Sequence, residues 1–221
     1  MSAMARKTRL TVAAIACLAV LSSVPATAAA AFHAHAQPLD RELRARMTGI
    51  SWHPGCPVGL DDLRLLAVTF WGFDGKVHVG RLVVNRDAVR AMSTAMQTLY
   101  SDRFPIRRMR LVDAYGADDH RSMEADNTSA FNCRFVAGTS HWSQHAYGRA
   151  IDLNPVENPY ADGHGYVSPP QGRPFADRSQ HHKGLVHAHG AAVAAFARVG
   201  WGWGGNWPWP KDFQHFSATG T

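Results

Sequence analysis

Two short segments of the chain contain the residue types of a split metal site with its own base. His145 and Asp152 lie in the first segment, seven residues apart, and His215 lies in the second. A catalytic zinc ion needs three ligands from His, Asp or Glu and one open position for water, and these residues supply that set. Asp212 is then a spare carboxylate that could take a proton from the activated water. The pattern predicts one zinc ion per chain, with Asp212 as general base.

The residues around these ligands predict the elements that bring them together. Gly148, between the first two ligands, permits a tight turn with positive φ. Residues 150–153 alternate as a short strand, in which Asp152 points away from its apolar neighbours and can face a cleft. Residues 213–216 alternate in the same way, so an aromatic residue could share a face with His215.

The two segments resemble those of the zinc peptidases of bacterial cell walls, which include D-alanyl-D-alanine carboxypeptidases and L-alanyl-D-glutamate endopeptidases. That family's pattern is Ser-x-His-x-x-Gly-x-Ala-x-Asp followed by Asp or Glu-x-x-His, and every fixed position is matched here. The resemblance extends from about Trp52 to Phe216. It implies the ligands and base named above, and it implies a substrate contact at Ser143.

Arg134 is the candidate for holding a substrate carboxylate or the developing oxyanion, because its guanidinium group carries a fixed fork of donors. It departs from the family's pattern. Many relatives carry their substrate-binding arginine in a Gly-Tyr-Arg segment, whereas the nearest equivalent here, Asp-Ala-Tyr-Gly at residues 113–116, has no arginine directly after it. Two interpretations stay open: Arg134 replaces the missing arginine, or it is a surface residue.

The beginning of the chain has the composition of an export signal. A basic start is followed by a short apolar run and by small residues suited to cleavage. We expect a signal peptide over residues 1–30, with cleavage within residues 28–36, and a single zinc peptidase domain over residues 37–221. The apolar run is too short for a comfortable membrane span, so we expect no stable span after cleavage and a location outside the cell or in its envelope.

Charge and composition limit the classes of molecule that we expect as partners. Loss of three basic residues with the signal lowers the net charge from +6 to about +3. A positive balance of this size concerns solubility and could favour an anionic cell wall. No run of Lys and Arg is interleaved with aromatic residues, so the sequence argues against nucleic acid as a partner. The oligomeric state is left open.

Cys56 and Cys133 are the cysteines that remain after signal cleavage. In an oxidising compartment two cysteines favour one disulfide bond. Two buried free thiols are the alternative, since a sequence does not give the separation of the two Cα atoms.

The periodicity of the chain predicts an α+β fold with a small, mainly antiparallel sheet and flanking helices. The resemblance implies the same class, a fold like that of hedgehog proteins and DD-peptidases. The polar segments 117–129 and 158–179 are predicted loops beside the site. The predicted regular elements are strands at 65–71, 77–84 and 107–113, and helices at 87–100 and 185–199.

Together these features predict a secreted zinc metallopeptidase that hydrolyses peptide bonds in peptidoglycan stem peptides, as a carboxypeptidase or as an endopeptidase. The alternative is a non-catalytic zinc domain that binds cell wall or a partner protein. Asp212 argues against that alternative, because a structural zinc ion needs no unliganded carboxylate beside it. A third possibility, a metal-binding protein that uses the many histidines, predicts several metal ions per chain.

Overall fold

The computed structural model describes residues 31–221, in which ten strands and four α-helices follow one another. They are β1 (Ala34–Pro38), α1 (Arg41–Met47), β2 (Leu63–Gly72), β3 (Val77–Asn85), α2 (Val89–Ser101), β4 (Pro105–Ile106), α3 (Asp119–Glu124), β5 (Ala150–Asp152), β6 (Tyr160–Ala161), β7 (Val167–Ser168), α4 (Ala191–Ala197), β8 (Gly202–Trp203), β9 (Lys211–Asp212) and β10 (His215–Ser217). The predicted signal peptide lies outside the described residues. Within residues 31–221 no helix is long and apolar enough to cross a membrane.

The main sheet is built on the long hairpin of β2 and β3. The two strands pair antiparallel from Leu63 opposite Asn85 to Trp71 opposite Val77, which confirms the predicted hairpin. β1 pairs antiparallel with the other edge of β2, and β4 adds a short parallel pairing at the end of β2. Leu66 and Val68 are buried on the side that faces the core, as alternation along a strand requires.

Helix α2 covers this sheet, and the prediction of a helix at 87–100 is confirmed within two residues at each end. Its apolar residues recur every three or four positions and form one buried stripe, which includes Met92, Met96 and Leu99. The stripe packs on β2 and on α4. Burial of each such side chain stabilises the fold by about 1.5–3 kcal/mol.

The predicted strand at 107–113 is wrong. Met109 forms only an isolated bridge to Thr128, and a 3-10 turn begins at Val112. The reason is the buried side chain of Asn127, whose Oδ1 accepts from the backbone N–H of Arg110 and whose Nδ2 donates to the carbonyl of the same residue. A side chain therefore takes the place of a neighbouring strand.

The predicted helix at 185–199 is correct only in its second half, because α4 begins at Ala191. The backbone N–H of Val186 donates to the side-chain oxygen of Asn158, and the N–H of Gly190 closes a turn on the carbonyl of His187. These bonds hold the segment before α4 in an irregular conformation.

The predicted α+β class with small antiparallel sheets is confirmed, although three small sheets replace the one expected. The second sheet has the order β5-β10-β8 and the third the order β7-β6-β9. These two sheets carry the candidate site. Cys56 and Cys133 are joined by a disulfide bond with 5.9 Å between their Cα atoms, which fastens the segment after α1 to the residues before the site.

Candidate metal centre

Two of the predicted ligands face each other across a pair of strands. In the antiparallel pairing of β5 with β10, His215 lies directly opposite Asp152, so their side chains project side by side from one face. His145 comes from the 3-10 turn Gln144–Tyr147 immediately before β5. The structure therefore brings the three predicted ligands together.

Gly148 ends the turn that carries His145. Its φ is +66°, its N–H donates to the carbonyl of His145, and its carbonyl accepts from the N–H of Asn85 on β3. A Cβ atom at this position would lie 2.6 Å from the backbone nitrogen of Asn85. The predicted left-handed turn is confirmed, and it seats the ligand turn directly on the main sheet.

The three side chains form a closed triangle of donor atoms. His145 Nε2 lies 3.1 Å from Asp152 Oδ2, His215 Nδ1 lies 3.1 Å from Asp152 Oδ1, and the two imidazole nitrogens lie 3.2 Å apart. All three residues are buried. Two imidazoles and one carboxylate at such separations fit the ligand set of a catalytic zinc ion, whose bonds to these atoms are about 2.0–2.2 Å long.

Hydrogen bonding fixes which nitrogen of His145 faces the triangle. Its Nδ1 lies 2.5 Å from the carbonyl oxygen of Ala130, which can only accept, so Nδ1 carries the proton and the lone pair of Nε2 points at the other two residues. Burial alone would lower the pKa of His145, but the Asp152 carboxylate raises it. Burial alone would raise the pKa of Asp152, but the His145 and His215 imidazoles hold it well below its usual range.

Asp212 lies on β9, opposite Tyr160 of β6, and shares a cleft with Asp152. Its Oδ1 is buried and has no hydrogen-bond partner among the described residues. Burial, with the Asp152 charge added, raises the pKa of Asp212 to about 6. Gly204 permits the close packing behind it, since a Cβ atom there would lie 2.5 Å from the Asp212 carbonyl oxygen. The structure thus supplies a basic carboxylate beside the candidate ligands.

The cleft above these residues has a volume of about 520 Å³. Asp119 and Met123 of α3 form one wall, and Tyr160 and Tyr166 of the arm that carries β6 and β7 form another. Both predicted loop regions therefore contribute to the cleft, although each contains short regular elements. The sequence predicted an aromatic residue on the same face as His215. Trp207 lies beside it, with 5.6 Å between the ring centroids, whereas Phe213 packs on Trp203.

The two predicted substrate contacts differ in position. Arg134 lines the cleft, where its guanidinium group pairs with Asp119 Oδ2 at 2.8 Å and its Nε is buried without a partner among residues 31–221. Ser143 is buried, and its Oγ accepts from the backbone N–H of His145 at 3.3 Å. It caps the ligand turn. The substrate roles of both residues stay predictions.

Two asparagines that bond to the backbone around β5 were not predicted from the sequence. Asn154 follows β5 with a φ of +42°, and its side chain bonds the backbone of Pro105, Arg107 and Gly184. Asn158 donates from Nδ2 to the carbonyl of Leu153. The available signal was a pair of asparagines directly after the predicted ligand strand, since Asn tolerates positive φ and bonds to backbone.

Comparison with known proteins agrees with this geometry. A family model described as D-alanyl-D-alanine carboxypeptidase matches residues 137–218, a range that contains the three candidate ligands and Asp212. The match confirms the predicted resemblance to the cell-wall zinc peptidases, which are a zinc-dependent family. It also supports the prediction that this chain is a peptidase. No curated protein and no solved structure gave a match.

Proposed function

We propose that this chain is a secreted zinc metallopeptidase that hydrolyses peptide bonds in the stem peptides of bacterial peptidoglycan. One observation carries the proposal: Asp212, which has a buried oxygen without a partner among residues 31–221, lines the same cleft as Asp152, and Asp152 forms the ligand triangle with His145 and His215. A structural zinc site is closed and needs neither the spare carboxylate nor the cleft. This contrast favours catalysis over the alternative of a binding domain.

The ligand triangle would hold zinc through His145 Nε2, His215 Nδ1 and the Asp152 carboxylate. When bound, zinc would supply a Lewis acid that acidifies a water molecule and polarises the carbonyl of the scissile bond. The bond from His145 Nδ1 to Ala130 orients that ring before any ion arrives. Such preorientation increases metal affinity, because no ligand has to be turned into place.

Asp212 would transfer the proton of the attacking water to the leaving amine. A carboxylate without hydrogen-bond donors in a buried setting holds a proton more tightly than an exposed one, and the pKa of Asp212 is raised for this reason. It could accept a proton from the attacking water and then pass it to the leaving amine. General acid–base catalysis of this kind contributes about 10²–10⁴-fold to the rate.

Arg134 would hold the negative charge of the substrate. Its ion pair with Asp119 keeps the guanidinium group at the wall of the cleft. The positive charge of this group suits the terminal carboxylate of a carboxypeptidase substrate. An endopeptidase would use the same cleft with the chain continuing past Arg134.

Export is the remaining part of the proposal. The cleavage region predicted at 28–36 overlaps β1, whose residues from Ala34 onward pair with β2. Cleavage close to residue 28 would leave this strand intact, whereas cleavage after Ala36 would remove more than half of it. Amino-terminal sequencing of the exported protein would identify the site.

Mass spectrometry of purified muropeptides after incubation with the mature protein tests the function. We expect a product that disappears with a chelator and returns with zinc. Loss of a terminal D-alanine would indicate a carboxypeptidase, and cleavage between L-alanine and D-glutamate would indicate an endopeptidase. The same assay on Asp212→Asn should show a rate lower by about 10²–10⁴-fold with metal content unchanged.

Glu124→Gln is the matched control, since Glu124 is a carboxylate at the end of α3 that does not line the cleft. It should leave the rate unchanged. Absence of any zinc-dependent product from all stem peptides would contradict the proposed activity. Full activity of Asp212→Asn would remove Asp212 as the base.

A further inference from the structure

A second surface carries a concentration of positive charge that the peptidase proposal does not use. Two adjoining cavities, of about 540 and 400 Å³, run between β3 and the segment that follows β4, and they share Val79 and Met109 as their floor. Four exposed arginines surround this surface, which we call the arginine groove: Arg46, Arg81, Arg108 and Arg110. No residue that lines the groove lines the metal cleft.

The backbone under the arginine groove is fixed. The N–H of Arg81 donates to the carbonyl of Met109, and Asn127 holds both backbone groups of Arg110 from the opposite side. Gly80 lets the two segments come this close, because a Cβ atom there would lie 2.4 Å from Met109 Sδ. Arg81 and Arg110 therefore project from backbone that is held by hydrogen bonds.

Arg108 and Arg110 flank the buried bridge residue Met109 and are both exposed. Arg110 borders both cavities and Arg108 borders one of them, so the two guanidinium groups lie along the length of the groove. Successive charges of an extended polymer could contact them in turn. Arg81, on β3, adds a further charge beside these two arginines.

The arginines of the groove outnumber its carboxylates. None of its four arginines forms an ion pair with a carboxylate of residues 31–221. Of the two acids that line it, Asp74 is paired with His78. The other, Asp113, is half-buried and accepts from Ser51 Oγ; burial raises its pKa, while Ser51 and the charge of Arg46 lower it. Four arginines therefore face two carboxyl groups, and a polyanion would meet a net positive charge.

We propose that the arginine groove binds a linear phosphodiester polymer. The guanidinium groups offer paired donors to successive phosphates, and the apolar floor of Val79 and Met109 suits the carbon links between them. Each aromatic ring that lines the groove already has a partner: Phe70 is buried, Arg107 covers Phe73 at 3.7 Å, and His78 stacks on Phe70 and bonds to Asp74. This favours a polymer without bases over a nucleic acid.

Fluorescence anisotropy with a labelled poly(glycerol phosphate) oligomer tests the proposal, using the mature protein loaded with zinc. Arg81→Gln with Arg110→Gln should weaken binding at least tenfold at about 0.1 M salt, and it should reduce the slope of log K against log salt by about 1.5. Arg90→Gln with Arg198→Gln removes the same charge from exposed arginines elsewhere and should change neither quantity by as much. Peptidase activity should be unaffected in both.

Three results would overturn the proposal. The first is equal weakening by the groove pair and the control pair, which would mean that net charge alone drives binding. The second is binding of a polyglutamate with the same number of charges as tight as that of the phosphodiester. The third is tighter binding of single-stranded DNA of matched charge. A single substitution, Arg46→Gln, gives an independent test at another exposed residue of the groove. It should also weaken binding of the polymer.

Discussion

The carboxyl pair of Asp126 and Glu157 predicts a change of stability with pH that one substitution should remove. Arg107 serves both groups, through Nε to Asp126 Oδ2 at 3.3 Å and through Nη2 to Glu157 Oε1 at 3.0 Å. The second oxygen of Glu157 is buried without a partner among the described residues. Burial and the adjacent Asp126 raise the pKa of Glu157 to about 7, so Glu157 keeps its proton to a much higher pH than an exposed glutamate does.

The sign and size of the effect follow from this pKa. The folded chain holds the Glu157 proton more tightly than the unfolded chain, in which the pKa is near 4.5. The stabilisation is therefore complete below pH 4.5 and is lost as the pH rises through 7. Each pKa unit corresponds to about 1.4 kcal/mol, so the full loss is about 3 kcal/mol, most of which falls between pH 5 and 8.

Glu157→Gln should abolish this dependence, because an amide can accept from Arg107 and donate to Asp126 without ionising. We expect wild type and variant to differ little at pH 5, and the variant to unfold about 5–10 °C higher at pH 8. Calorimetry on metal-free protein in a chelator would measure this, and Glu124→Gln is the control at an exposed site. Parallel curves of wild type and Glu157→Gln from pH 5 to 8 would refute the reasoning.

Three further predictions concern the site and its frame. His215→Ala should lose zinc, since it removes one of three buried ligand atoms; one equivalent of zinc by elemental analysis of the purified variant would exclude His215 as a ligand. Gly148→Ala should lower the free energy of unfolding by about 3 kcal/mol or more, because it combines positive φ with a contact at the Asn85 nitrogen; urea denaturation showing less than about 1 kcal/mol would contradict that view. Thiol titration of unfolded, unreduced mature protein should find no free thiol, because Cys56 and Cys133 are joined, and reduction should cost about 2–4 kcal/mol; two titratable thiols would disprove the bond.

The first half of the candidate site could be predicted because the sequence encodes its turn and strand locally. The spacing of His145, Gly148 and Asp152 encodes a turn followed by a strand, and both form as expected. Hairpin and helix signals before residue 101 were equally local and were confirmed.

What could not be predicted depends on side chains from distant segments. Alternation at residues 107–113 indicates a strand, but Asn127 takes the hydrogen bonds that a second strand would have made. The arginine groove was hidden for the same reason. Arg46 and Arg81 are far from Arg110 in the sequence, so a net charge near +3 conceals a local excess that only the fold assembles.

Asp212 and His215 are close in the sequence but belong to different sheets. Asp212 is paired with the arm through Tyr160, whereas His215 is paired with Asp152 in the sheet that holds the ligands. A displacement of the arm would therefore carry the proton acceptor with it and leave the metal ligands in register. If Asp212 is the base, as proposed, zinc affinity depends on the sheet of β5 and β10, and the position of the proton acceptor depends on the sheet of β6 and β9. We therefore expect substitutions in β6 and β7 to change the turnover rate more than the affinity for zinc.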